Sequence, residues 1–335
     1  MWTRFALTVA AVGLISTAAA AGQSPQAAPK PPANEDCLAC HGDADAKRAD
    51  GRTIAVDAKR FEGSTHGPMA CVDCHADLAK LTEFPHTDTL AKVACASCHD
   101  DIGSKYHDSI HAWAKEKAGL TAAAPACADC HGRHDILKKT DAASRVARAN
   151  IPSTCGSCHA GIKQKYDAGI HAVALKKGQS NAPVCSDCHT AHTIQRADTT
   201  AWRLGLTAEC GTCHAGVVAS FERTFHGKVN QLGSTRVAAC ADCHGAHDIL
   251  PASNPASTIS SGHLVATCGK CHAGSNERFV KYDPHPDPQN YKRGAILWWA
   301  NRFYWVLIPG CFGFFGLHSL LWFWRSRRNG KERGR

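Results

Sequence analysis

Eighteen of the nineteen cysteines in this 335-residue chain stand in CxxC pairs, and a histidine follows every pair at once. The sites are Cys37-Cys40-His41, Cys71-Cys74-His75, Cys95-Cys98-His99, Cys127-Cys130-His131 and Cys155-Cys158-His159. Cys185-Cys188-His189, Cys210-Cys213-His214, Cys240-Cys243-His244 and Cys268-Cys271-His272 complete the set. Two thiols at this spacing add to the two vinyl groups of a porphyrin, and the next imidazole is carried under the ring to the iron. CxxCH is the attachment signature of c-type haem. A zinc ribbon needs no histidine at that position. A disulfide scaffold leaves all nine histidines without a purpose. Histidine makes up 21 of the 335 residues, so nine chance matches in nine have odds on the order of 10⁻¹¹. Nine covalently bound haem c groups are the expected cofactor.

Twelve histidines remain once the nine proximal ones are assigned. In CADCHGAHDIL, residues 240 to 250, His247 lies three residues past His244. A sixth ligand must approach the iron from the opposite face, and two side chains this close on one stretch cannot straddle a porphyrin. His247 is therefore expected to serve a different haem, and so are His134 and His192 in the matching strings. A second recurring set is His66, His111, His171, His226 and His285. These eight are distal-ligand candidates for nine irons, with the ninth from His86 or His263. His107 takes a place held elsewhere by Asp167 and Glu222 and reads as a surface residue. Methionine ligation raises haem potential, but Met69 is the only methionine besides Met1. Low-potential bis-histidine haems are expected.

The elements that must hold these residues repeat. CASCHDDIGSKYHDSIH, CGSCHAGIKQKYDAGIH and CGTCHAGVVASFERTFH align without gaps. Each places an aromatic (Tyr106, Tyr166, Phe221) 11 residues after the first cysteine and a histidine 16 after it. A CxDCH site follows each, so two-haem units lie near 37–86, 95–137, 155–195 and 210–250. A ninth haem belongs to 268–285. The spacing of successive first cysteines, 95, 155, 210 and 268, is that of stacked repeats. KYHDSIHAWAKEKAG and KYDAGIHAVALKKG have helical composition and end at glycine. Strand signals are weak. The expected fold is mainly α with extensive loops and little or no sheet: a multihaem cytochrome c wrapped thinly around its porphyrins, plus one C-terminal transmembrane helix.

Both ends point to a membrane. Residues 1–21 read as a signal peptide, with Arg4 before an apolar run that ends in alanines. Residues 22–36 form a Pro-rich flexible leader. Beyond the nonahaem domain at 37–285 and a juxtamembrane segment at 286–302, residues 303–324 are uncharged and long enough to span a bilayer. Five of the eight tryptophans lie between Trp298 and Trp324, as in an interfacial belt. The tail 325–335 carries six positive charges against one negative and is expected in the cytoplasm. The body then lies on the periplasmic side of a bacterial inner membrane. Arg4 and the tail account for six of the nine net positive charges, leaving +3, which does not suggest nucleic-acid binding. Within the span, His318 is ionisable and so of functional interest. It could contact a membrane partner's haem or a quinone, ligate a haem, or hydrogen-bond a neighbouring helix. Cys311 reads as an inert apolar residue. Pro309-Gly310 is a place for a kink.

The repeated YxxSIH…CADCHGRHDI pattern, over about residues 37 to 285, resembles periplasmic multihaem c-type cytochromes with doubled CxxCH motifs. The tail, PHPDPQNYKRGAILWWANRFYWV and then FFGLHSLLWFWR, looks like members that carry a C-terminal anchor and work with an integral-membrane b-type cytochrome. The resemblance implies electron transfer between a quinol dehydrogenase subunit in the inner membrane and periplasmic or outer-membrane redox proteins. No catalytic residue is assigned. The rival is a multihaem reductase of a small nitrogen or sulfur oxyanion, which needs one iron with an open position. The lysine-bearing CxxCK variant is absent, and the histidines suffice to close every iron.

Overall fold

The computed structural model describes residues 30 to 333, so the signal peptide and most of the leader lie outside the described residues. Among the described residues there is no strand, only an isolated antiparallel bridge between Lys47 and Thr53. One helix is long, Ala295–Arg333; Thr200–Phe221 is broken by a kink at His214 (φ −105°, ψ 41°), and every other one has nine residues or fewer. The chain is mainly helix and loop, as its composition suggests.

Two compact units form. Among the described residues one takes in 30–56 together with Met69–Val93, and the other takes in Asp57–Pro68 and 94–333. The stretch holding His66, which the repeat pattern assigns to residues 37–86, thus packs with the second unit. In the first unit, Asn34 ties the two attachment helices together. Its side chain donates to the Met69 carbonyl at 3.2 Å and accepts from the Cys71 N–H at 2.8 Å.

Five attachment helices start on a carboxylate cap. At four of them the residue just before the first cysteine ends an extended segment and the aspartate at the second x of CxxC caps its N–H; the helix of the first site starts a turn earlier, with Ala33 capped by Asp36, which precedes Cys37. Asp36 accepts from Ala33, Asp73 from Ala70, Asp129 from Ala126, Asp187 from Val184 and Asp242 from Ala239, all at 2.7–2.8 Å. This is half of a capping box, and it explains how helices as short as Cys71–Cys74 and Cys127–His131 persist. After three of the CxDCH histidines the backbone takes a positive φ: Gly132 at 89°, Thr190 at 63° and Gly245 at 78°. The turn directs the second histidine of HxxH away from the first. Thr190, with ψ of −177°, occupies a region that glycine alone enters without strain. Thr190→Gly is expected to raise stability by about 1 kcal/mol, read as a higher melting temperature.

Successive repeats are joined by one recurring backbone bond. Thr65 N–H donates to Ile136 O, Ile110 to Ile194 O and Ile170 to Ile249 O, each at 2.8 Å. In every case the residue just before a mid-repeat histidine meets the isoleucine two residues after an HxxH histidine of the following repeat. A small residue follows each mid-repeat histidine: Gly67, Ala112, Ala172 and Gly227. A Cβ on Gly227 would lie 2.2 Å from Phe221 O, and one on Gly67 the same distance from Glu62 O. The mid-repeat helices start on Ser109 and Thr224, whose hydroxyls accept from Ala112 N–H and Gly227 N–H.

The repeat aromatic ties each mid-repeat helix to the next attachment site. Tyr106 Oη donates to Pro125 O at 2.6 Å and Tyr166 Oη to Pro183 O at 2.9 Å, two residues before Cys127 and Cys185. Phe221 fills the same place without a hydroxyl and is buried. Tyr166→Phe leaves the packing and strands one carbonyl. It is expected to cost about 1 kcal/mol, read as a lowered melting temperature with an unchanged visible spectrum.

The C-terminal helix begins eight residues before the expected 303 and extends nine past 324. Hydropathy marks where lipid is tolerated, whereas Asn301, Arg302 and the arginines of the tail continue a helix readily. Its stretch Ala295–Arg328 has a mean hydropathy of 1.7 over its most apolar window, none of which is buried, and is long and apolar enough to cross a membrane. The helix runs through Pro309. His318 lies beside Ser319, Trp322 and Phe323 on it, and Cys311 is exposed.

Candidate haem-binding sites

All nineteen cysteines lie among the described residues and none is in a disulfide. Thiols of neighbouring sites come together in a regular order. In the first unit Cys71 hydrogen-bonds Cys37, and burial pushes its thiol up to about 11. In the second unit Cys155 bonds Cys185 and Cys210 bonds Cys240, so the first cysteines of two sites in one repeat meet. The second cysteine of one repeat then approaches the second cysteine of the next, Cys130 near Cys158 and Cys188 near Cys213, while Cys243 lies near Cys268, the first cysteine of the last site. His131 likewise senses the charge of His99. From Cys95 to Cys268, sites adjacent in sequence are therefore adjacent in space.

The histidines are brought together two by two. An imidazole nitrogen binds a metal at about 2 Å, and the ring centre lies roughly 1 Å beyond it. Two axial rings on one iron therefore have centroids about 6 Å apart. Eight pairs in the structure fall at 5.9–6.4 Å. In the first unit His41 faces His86 at 5.9 Å. In the second, His99 faces His66, His159 faces His111, His214 faces His171 and His272 faces His226. His131 faces His192, His189 faces His247 and His244 faces His285. Each pair joins one CxxCH histidine to one histidine from outside the motif.

In the second unit the pairing follows a rule. A proximal histidine in the first site of a repeat faces the mid-repeat histidine of the preceding repeat. A proximal histidine in the second site faces a histidine supplied from beyond its own repeat, either the HxxH histidine of the next one or, at the end, His285. His247 stands opposite His189 and not His244. His86 takes the place the sequence left open between it and His263. His263 instead turns its Nδ1 to the Ser257 carbonyl at 3.1 Å and the Ser260 hydroxyl at 3.2 Å. His75 closes the helix Cys71–Cys74, and His134 follows Gly132 in an exposed turn. His107 is exposed and meets Glu116 at 2.8 Å, as a surface residue does.

Several rings are held and poised for coordination. His41 Nδ1 lies 2.9 Å from Ile54 O and His86 Nδ1 2.8 Å from Thr87 O, leaving each Nε2 free to face the partner ring. Burial, reinforced by the facing histidine, lowers the pKa of His111, His131, His171, His189, His226 and His244. Burial does the same for His247 and His285. The neutral imidazole this favours is the form that binds iron. His285 also rests on the Ser220 hydroxyl at 3.2 Å. Trp202 lies against His189, with centroids 5.5 Å apart and planes 10° apart, and Phe279 lies 4.9 Å from His272. Among the described residues no three His, Cys, Asp or Glu side chains gather as an all-protein metal centre would require. Histidines in twos beside cysteines in twos suit a metal that brings four ligands of its own. The residues fit haem.

Sequence logic found the cysteines and the histidines but missed Ile136, Ile194 and Ile249, whose carbonyls hold successive repeats in register. Their signal was the isoleucine that recurs after HxxH in GRHDIL, TAHTIQ and GAHDIL.

A strand-free helical chain with nine CxxCH sites and facing histidines fits a multihaem c-type cytochrome. In particular, it is 30% identical over 152 residues to the multiheme cytochrome MtrA of Shewanella baltica (strain OS185), a match covering 39% of this chain and 44% of that protein. The chain thus aligns with less than half the length of that relative. No family model matches the chain, and no solved structure does.

Proposed function

We propose that the chain is a periplasmic nonahaem c-type cytochrome, anchored in the inner membrane by its C-terminal helix. It relays electrons between a membrane quinol-oxidising partner of the b-cytochrome kind and periplasmic redox acceptors. The observation that carries this reading is the set of eight histidine pairs at 5.9–6.4 Å, each with its own CxxC beside it. Haem iron held in this way accepts and releases one electron at a time. The chain's part is to place two neutral imidazoles at each of eight irons, which would close them to small ligands. The order of the cysteines then sets neighbouring sites side by side, in the single file that electron hopping needs. The exposed apolar helix and its arginine-rich end suit a bilayer, with the basic tail in the cytoplasm as the positive-inside rule expects.

The test is to extract the protein from its membranes in mild detergent and record reduced spectra. The expected result is c-type bands accompanied by a b-type band, with reduction by a quinol analogue in intact membranes. Full c-haem content with neither a b-type band nor quinol-driven reduction would overturn the membrane-partner reading.

A further inference from the structure

Two kinds of attachment site alternate along the second unit. At the Cys127, Cys185 and Cys240 sites the residue before the second cysteine is Asp129, Asp187 or Asp242. Each carboxylate is pinned at the helix start by the backbone N–H it accepts, at 2.7–2.8 Å. At the Cys95, Cys155 and Cys210 sites the same position holds Ser97, Ser157 or Thr212. Those hydroxyls donate to Ala94 O, Thr154 O and Glu209 O at 2.7–2.8 Å. The hydroxyl oxygen lies 3.9–4.0 Å from the Sγ of the adjacent second cysteine. The last site has Lys270 there. No second-site residue of a repeat is a hydroxyl in this unit, and no first-site residue is a carboxylate.

The difference bears on redox poise. A ferric haem core carries one more positive charge than a ferrous one. A fixed negative charge close by therefore favours the ferric state and lowers the reduction potential, while a hydroxyl adds no charge. An aspartate here is one residue from a thioether cysteine and two from the iron's histidine.

We propose that this single position makes the haem potentials alternate along the chain, low at the aspartate sites and higher at the hydroxyl and lysine sites. The inference rests on haem occupying the nine CxxCH sites. Local counter-charge grades it. Arg148 meets Asp187 through both guanidinium nitrogens, at 2.6 and 3.2 Å, whereas Arg203 is 4.0 Å from Asp242. Asp187 is therefore the most compensated of the two and its site the less depressed. Partial exposure of both carboxylates screens the effect, so it is largest at low ionic strength.

The test uses the full-length, haem-loaded protein in detergent, titrated potentiometrically with optical detection at low salt. Asp129→Asn combined with Asp242→Asn keeps an acceptor for each capping N–H and removes two charges. Two-ninths of the haem absorbance is expected to shift to higher potential, by on the order of a tenfold change in the reduction equilibrium per site, ~59 mV for a one-electron couple. Ser157→Asp is expected to move one-ninth the other way. In both variants haem per chain and the low-spin spectrum stay as in the parent. An unmoved titration at full haem content overturns the inference, and so does a shift that comes with a high-spin signal, because that marks a displaced ligand. A parent protein lacking haem at these sites overturns the reading beneath it as well.

Discussion

His247→Ala is expected to open the iron of one haem, the one held by Cys185, Cys188 and His189, and to leave the haem of its own motif untouched. In sequence His247 is three residues from His244, and a reader would assign both to one site. In space its ring is 6.0 Å from that of His189, while His244 faces His285 at 6.2 Å. The separation is built into the backbone. Gly245, at a φ of 78°, turns the chain out of the helix Cys240–His244. Ile249 then accepts the Ile170 N–H at 2.8 Å and holds the turn against the preceding repeat. The space beside that bond is tight, since a Cβ on Gly169 would lie 2.9 Å from His247 O. The variant should show one high-spin haem in nine by electron paramagnetic resonance and bind one equivalent of carbon monoxide when reduced. Added imidazole should restore the low-spin state. Adding Cys185→Ser and Cys188→Ser should abolish the high-spin signal, whereas Cys240→Ser with Cys243→Ser should leave it. The reverse pattern would place His247 on its own motif's iron.

The second large effect concerns stability. Stripped of haem attachment, the chain is expected not to fold. Eight hydrophobic side chains are buried among the described residues, and four of them are alanines: Ala112, Ala147, Ala172 and Ala182. No large side chain there is fully buried. Each buried Val or Leu-sized side chain stabilises by about 1.5–3 kcal/mol, and ordering one residue's backbone costs about 1–2 kcal/mol. So sparse a core cannot hold the chain, and the short capped helices are far below the length at which helices persist alone. Porphyrins inserted between the attachment helices must supply most of the buried apolar surface. A chain made without cytochrome c maturation, or with every CxxC cysteine replaced by serine, should show a disordered far-ultraviolet spectrum and rapid proteolysis. The haem-loaded protein should resist both. A cooperative unfolding transition in the haem-free soluble part, residues 30 to 294, would refute this.

How much of this was legible beforehand follows from what each residue needs. Haem attachment needs only local chemistry, so the CxxCH motifs are where a sequence can propose it. Helix and loop without strands followed from composition, and the apolar span from its lack of charge. The facing histidines are set instead by how one repeat stacks on the next, which is a long-range matter. The sequence showed that His247 had to leave its own site but not that it goes to His189. It left His86 and His263 equal, and only the fold brings His86 to His41. Two further patterns were visible as letters but silent in meaning. The small residues Gly67, Ala112, Ala172 and Gly227 mark where backbone closes on backbone, and the alternation of aspartate with serine or threonine inside CxxC marks two kinds of helix start. The helix end points eluded hydropathy because arginine continues a helix as well as leucine does.

The most direct test of the central claim is a count of haem and ligand state on one sample of the purified, membrane-extracted protein. Covalent haem per chain comes from intact mass and the pyridine haemochrome, and ligation from low-temperature electron paramagnetic resonance of the oxidised form. The account predicts nine covalent haems per chain, one for each CxxCH, with low-spin bis-histidine signals from the eight whose histidines are paired. Fewer than nine haems, or more than one stoichiometric high-spin haem in the parent protein, would contradict it.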